Sequence, residues 1–230
     1  MHPNSHNNIR RPKHGTGGLH RRITAFCLSL SCTLLMAAET PLKQLKESAG
    51  TGDAKAQHEL ATAYALGTGG LKKPDLKEAF FWYRKAADSG IGEAQFKMGY
   101  FYENGISTRT NKVEAEKWYR LAAMQGVAPA HLAVGIASAE AGDHIAAVKS
   151  FKFAAESGLP IAQRMLGEYY MTGQGGLSRD PVEALKWMLI AAEHSDPKAI
   201  ERADSLRKNH VRNPELIAEA EKRAREFVPR

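Results

Sequence analysis

The side chains best suited to chemistry in this chain are few, and their spacing does not serve it. Beyond residue 38 the histidines are His58, His131, His144, His194 and His210. None stands in an H-E-x-x-H or comparable zinc-binding spacing. Ser205-Leu206-Arg207-Lys208 has the S-x-x-K order in which a lysine can activate an acylating serine, but neither Lys-Thr-Gly nor Ser-Asp-Asn accompanies it. Gly67-Thr68-Gly69-Gly70 and Gly173-Gln174-Gly175-Gly176 superficially suggest a phosphate cradle, yet neither leads into Gly-Lys-Ser/Thr. Both cysteines, Cys27 and Cys32, lie near the amino end, so from Glu39 onward no thiol is available as nucleophile, zinc ligand or disulfide partner. The sequence therefore predicts no catalytic residue, no metal ligand and no cofactor site.

The residues that do recur belong to helices. Ala79-Phe80-Phe81-Trp82 runs on to Ala86-Ala87-Asp88-Ser89-Gly90, Ala115 through Trp118 to Ala122-Ala123-Met124-Gln125-Gly126, and Ala184 through Trp187 to Ala191-Ala192-Glu193-His194-Ser195. Apolar residues at i, i+3, i+7 and i+8 share one helical face, and a glycine just past the end suits a left-handed stop. The three tryptophans sit on that stripe and are expected in the core. Asp75, Asn111 and Asp180 precede these helices as caps. Glu78, Glu114 and Glu183 follow three residues later, the spacing of a capping box, which makes these acids helix starters. Pro181 falls in the first turn, where its missing N–H costs nothing. A weaker copy spans Ala147 to Gly158, with Ser150 in place of the tryptophan and only Gly142-Asp143 as its turn; it is expected to be the least well packed.

A second element precedes each copy, led by Ala56, Ala94, Ala130 and Ala162. These alanines are 38, 36 and 32 residues apart (94 − 56, 130 − 94, 162 − 130), a period typical of helical repeat arrays. The combined pattern, A-x-x-x-L-G-x-x-Y, a glycine loop, then D-x-x-x-A-x-x-W-x-x-x-A-A-x-x-G, resembles the Sel1-like repeat, a relative of the tetratricopeptide repeat. The resemblance covers roughly residues 54–195. It implies an all-α fold, a right-handed α-solenoid of Sel1-like helix pairs, with repeats at 54–90, 91–126, 127–158 (the most tetratricopeptide-like, through Ala147, Phe151 and Ala154) and 159–195. Residues 39–53 are expected to cap the amino end and 196–230 to form two carboxy-terminal capping helices, the last starting at Asn213-Pro214-Glu215 and running to Phe227 with a polar outer face.

Charge excludes one class of partner. The net charge of +7 and pI near 9.4 invite a nucleic-acid reading. Five of the 32 bases, Arg10, Arg11, Lys13, Arg21 and Arg22, fall in residues 1–38, which hold no acid. The remainder has 27 bases against 25 acids, a net of +2. A phosphate-binding surface needs clustered positive charge, and no cluster is visible. The basic start, the apolar run from Ile23 to Met36 and the small Ala37-Ala38 predict a secretory signal peptide over residues 1–38. A helix over 23–38 would span about 24 Å, short of the ~30 Å hydrocarbon core. The mature chain is then expected in the periplasm or outside the cell, with membrane contact only through an uncleaved leader.

The resemblance also implies function. Sel1-like proteins are typically adaptors in multi-protein assemblies, so the expectation is a non-catalytic interaction module of the bacterial cell envelope that binds a protein segment on the concave face. The cysteine-rich branch linked to penicillin binding or β-lactamase activity carries repeat cysteines that this chain lacks; an immunity protein against a secreted toxin is a further reading within the binding class. By resemblance, the groove residues are His58 and Thr62 in repeat one, Phe96, Tyr100, Glu103 and Asn104 in repeat two, Leu132, Ile136 and Glu140 in repeat three, and Arg164, Glu168 and Met171 in repeat four. An apolar middle with polar ends is the anatomy of a peptide-binding surface.

Overall fold

The computed structural model of the chain describes residues 42–210 and 212–230; the expected leader lies outside the described residues. Residues 42–50 are helical. They are followed by α1 (Ala54–Leu66), α2 (Leu76–Asp88), α3 (Gly92–Asn104), α4 (Lys112–Met124), α5 (Ala128–Glu140), α6 (His144–Glu156), α7 (Pro160–Thr172), α8 (Pro181–Glu193), α9 (Pro197–Asn209) and α10 (Pro214–Arg225). The described residues contain helices and no strand. From α1 to α9 each helix packs on its sequence neighbours, which makes residues 54–209 an all-α repeat solenoid. No helix among the described residues is long and apolar enough to cross a membrane.

The Ala-Ala doublets act through their carbonyls. Past α2, the Gly90 N–H donates to Ala87 O and the Ile91 N–H to Ala86 O, with Gly90 at φ 92°. This Schellman closure repeats at Gly126–Val127 on Ala123 and Ala122, and at Gly158–Leu159 on Ala155 and Ala154. After α8 the left-handed position is filled by Ser195 at φ 61°. Small residues are needed at the doublet because they are buried against the next helix: Ala86, Ala122, Ala154 and Ala191 are fully enclosed.

The helix starts are capped as expected, with one difference. Asp75 Oδ1 accepts from the N–H groups of Lys77 and Glu78, Asn111 Oδ1 from Glu114, and Asp180 Oδ1 from Val182 and Glu183. The reciprocal half of the capping box does not form. The N–H groups of Asp75, Asn111 and Asp180 donate instead to Tyr64, Tyr102 and Tyr170 carbonyls on the preceding helix. The freed glutamates bond elsewhere: Glu78 accepts from the Trp82 indole, Glu114 from Lys117, and Glu183 from Lys186 and Arg223. Asp180→Ala should lower the unfolding free energy by about 1 kcal/mol, read from the denaturant midpoint.

The core corrects two expectations. Trp118 and Trp187 are buried, but Trp82 is only half-buried, its ring lying against the exposed Phe81 and under Lys85. The deeply buried position is one residue later: Tyr83, Tyr119, Phe151 and Met188. Three of these lie against the glycine of the partner helix. A Cβ on Gly99 would sit 2.6 Å from the Tyr119 ring, one on Gly135 2.6 Å from Phe151, and one on Gly167 3.1 Å from Met188 Cε. The glycine at this position thus makes room for the large side chain. In the third repeat α5 buries only Ala130, Gly135 and Ser138, but the second helix is well packed. Helix α6 buries six residues, Ser150 and Phe151 among them, as many as α8. Gly175 of the following loop fills the space at its start, where a Cβ would strike the His144 carbonyl and Val148.

At the carboxy end α9 buries Ala199, Ala203 and Leu206, as its stripe predicts. Helix α10 stops at Arg225 rather than Phe227 and lies on α8, with Phe227 edge-on to Trp187 at 5.2 Å. The last residue reaches back to α6, where the Arg230 N–H donates to Glu156 O.

Candidate functional site

One groove collects the middle of the expected surface. Phe96, Tyr100 and Glu103 from α3 face Leu132, Ile136 and Glu140 from α5 across a cavity of about 580 Å³. Phe96 and Tyr100 are four residues apart on one helix face, and Leu132, Ile136 and Glu140 repeat that spacing on the other. Lys112, Ala115, Glu116 and Tyr119 of α4 add to the lining, with small residues of α5 between the large ones. These α4 residues escaped the sequence reading, which drew the surface from the first helix of each pair alone.

The lining divides into structural and available groups. Phe96 is half-buried and rests on Tyr119 at 5.6 Å between ring centres. Tyr100 and Ile136, by contrast, are 46% and 38% exposed. The Tyr119 hydroxyl donates to Glu103 Oε2 at 2.7 Å. Burial, reinforced by that bond and by the Glu103 charge, holds the Tyr119 phenol far above its ordinary value, so it remains a donor at neutral pH. Glu116 pairs with Arg120 at 2.6 Å. Among the described residues Glu140 and Lys112 have no ion-pair partner.

The ends of the expected surface are engaged in other work. His58 packs on Tyr83 at 5.7 Å, and Thr62 Oγ1 lies 3.0 Å from the Tyr83 hydroxyl. Asn104 Nδ2 donates to its own helix at Tyr100 O. Arg164 bonds Glu168 at 3.1 Å and reaches Asp196, the cap of α9, at 3.3 Å, with only 13% of its side chain exposed. That pair ties α7 to α9. Met171 lines a separate cavity of about 300 Å³ with Arg179, Leu206 and His210. Among the described residues no group of three or more His, Cys, Asp or Glu is placed to hold a metal. Ser205 and Lys208 both lie on α9, without the companion motifs.

The repeat junctions hold a further regularity. Gln57, Gln95 and Gln163 are buried, and each donates its Nε2 to the carbonyl eight residues earlier, on Ala49, Ala87 and Ala155. Repeat three has His131 in this position, stacked on Phe153 at 4.0 Å, its buried Nδ1 without a well-formed hydrogen bond among the described residues. The Ala-Gln doublets at 56–57, 94–95 and 162–163, against Ala130-His131, were a readable signal for this. Burial lowers the His131 value below its ordinary 6.5, with Lys149 acting in the same direction and the Ala123 carbonyl opposing it; burial likewise lowers His58. A depressed histidine stabilises the fold fully above the unfolded value, and that contribution is lost as pH falls through the folded one. The thermal midpoint should therefore fall as pH is taken from 8 to 5.5, and His131→Gln should flatten the profile by restoring the junction amide.

The Sel1 repeat model matches residues 54–91, 92–127 and 160–196, leaving out the third, tryptophan-less pair. The chain is 31% identical, over 163 residues, to an uncharacterized protein of Neisseria meningitidis serogroup B, covering 70% of this chain and 33% of that one. A chitin synthase regulator of Saccharomyces cerevisiae is 42% identical over 71 residues, 31% of this chain and 10% of its own length. The chain thus spans a third or less of these curated relatives. Among solved structures, a Sel1 repeat protein from Oxalobacter formigenes is 29% identical with a TM-score of 0.66, the match covering 84% of this chain and 83% of that one. A protective antigen present in uropathogenic Escherichia coli strains, displaying an SLR fold, is 31% identical with a TM-score of 0.69, covering 81% of this chain and 41% of its own. With three Sel1 repeats matched by sequence and the same all-α solenoid found in both solved relatives, the chain is a solenoid that carries Sel1 repeats.

Proposed function

We propose that this protein is a non-catalytic adaptor that holds a segment of a partner protein in the groove between α3 and α5. Sel1 repeat proteins mediate protein–protein interactions, and the observation that carries the reading here is the pairing of Tyr100 and Ile136. Both are large, apolar and exposed, and both face the same cavity from opposite sides. An exposed aromatic anchor beside an aliphatic one, bordered by carboxylates, has the composition of an interface core with a polar rim. The basic-then-apolar order of residues 10–38 supports this reading of an exported adaptor acting in the envelope or outside the cell.

A photo-crosslinking amino acid at position 100 or 136 of the full chain, expressed in its own cells, tests this. Adducts with a discrete protein partner are expected at both positions and not at Lys152, which is exposed on α6 and does not line the groove. Adducts of equal yield at position 152, or none at 100 and 136, would contradict the proposal.

A further inference from the structure

The polarity of the groove specifies more than its location. Helices α3 and α5 each open a hairpin and run in the same direction, so their carboxy ends meet at one end of the cavity. Glu103 and Glu140 occupy those last turns, where the unpaired carbonyls already carry partial negative charge. Neither helix has a basic residue in its last turn to offset these acids. An acid at a helix carboxy end opposes helix stability. Glu116, already paired with Arg120, and Lys112, the one base among the lining residues, enter the same end from the first turns of α4, so Glu103 and Glu140 are its carboxylates without an ion-pair partner among the described residues. The opposite end, around Phe96 and Leu132, is apolar.

Resting on the reading of this groove as an interaction site, we propose that its occupant is a cationic, apolar-anchored peptide segment. An apolar side chain seats against Phe96 and Leu132, and a Lys or Arg follows within about one helical turn to lie between Glu103 and Glu140. A positive group there relieves the repulsion between the carboxylates and both helix ends. The exposed Tyr100 ring lies between the two halves and offers its face to the cation. Arginine suits the site better than lysine, because its planar fork can bond a carboxylate twice while stacking on the ring.

The test is selection of a displayed library of random 12-residue peptides on the full chain, with counter-selection on a Tyr100→Ala, Ile136→Ser variant. The peptides that depend on the groove should pair an apolar residue with Arg or Lys within about four positions. Their affinity should fall at least ten-fold on a Glu103→Gln, Glu140→Gln variant, whose position-103 amide oxygen still accepts from the Tyr119 hydroxyl. Groove-dependent peptides that are neutral or acidic, or basic ones indifferent to the two glutamines, would overturn this inference and leave the groove as a binding site. No groove-dependent peptide at all would overturn both.

Discussion

Trp187→Ala is expected to lower the unfolding free energy by about 3–5 kcal/mol, as truncation of a large enclosed aromatic does. Trp82→Ala should cost about 1–2 kcal/mol, the range of an ordinary partly buried substitution. The two residues hold the same position in their repeats, and only burial separates them. Trp187 is 5% exposed and shares a cluster with Ala154, Ala155, Leu166, Ile190 and Ala224, so its removal opens a void among α6, α7, α8 and α10. It also strips Phe227 of its edge-on partner. Trp82 lies at the rim of its cluster, where it covers the core with one face while Lys85 and Phe81 cover the other. Denaturant unfolding with an unchanged m-value reads both numbers directly. Equal costs for the two would mean that Trp82 is enclosed in solution. In a solenoid the Trp187 void should also raise hydrogen exchange in the neighbouring α6 and α7.

Much of this architecture was legible because it is written twice or more. The spacing of Ala79, Trp82, Ala86 and Gly90 recurs, and each recurrence forms the same helix with the same Schellman stop. The caps Asp75, Asn111 and Asp180 were readable from residue type alone, since a side-chain oxygen before an apolar run has one local use. What the pattern could not supply was competition between long-range partners. The cap N–H groups found carbonyls on the preceding helix, so Glu78, Glu114 and Glu183 were released to other bonds. Which of two adjacent aromatics, Trp82 or Tyr83, turns inward depends on the crossing of neighbouring helices, and helical periodicity tolerates both. The groove was readable in its middle, where Phe96, Tyr100, Leu132 and Ile136 break the polar surface. Its ends were not: Arg164 looks like a free cation in the sequence and is occupied by Asp196, a cap 32 residues away.

Tyr100→Ala combined with Ile136→Ser is expected to abolish partner capture, weakening affinity about a hundred-fold or more, because a buried aromatic anchor and its aliphatic neighbour each carry on the order of 2 kcal/mol in an interface core. Neither residue is enclosed in the free protein, and among the described residues neither makes a side-chain hydrogen bond. Their loss should therefore move stability little. Phe96 is unsuited to this purpose because it rests on Tyr119, and its truncation would confound binding with folding. The most direct test of the groove as a partner-binding surface is to measure, on this one double variant, the thermal midpoint and the affinity for the protein crosslinked at position 100. Binding lost with a midpoint within about 2 °C of the parent is the predicted result. Binding retained at an unchanged midpoint, or binding lost only in step with unfolding, would contradict it.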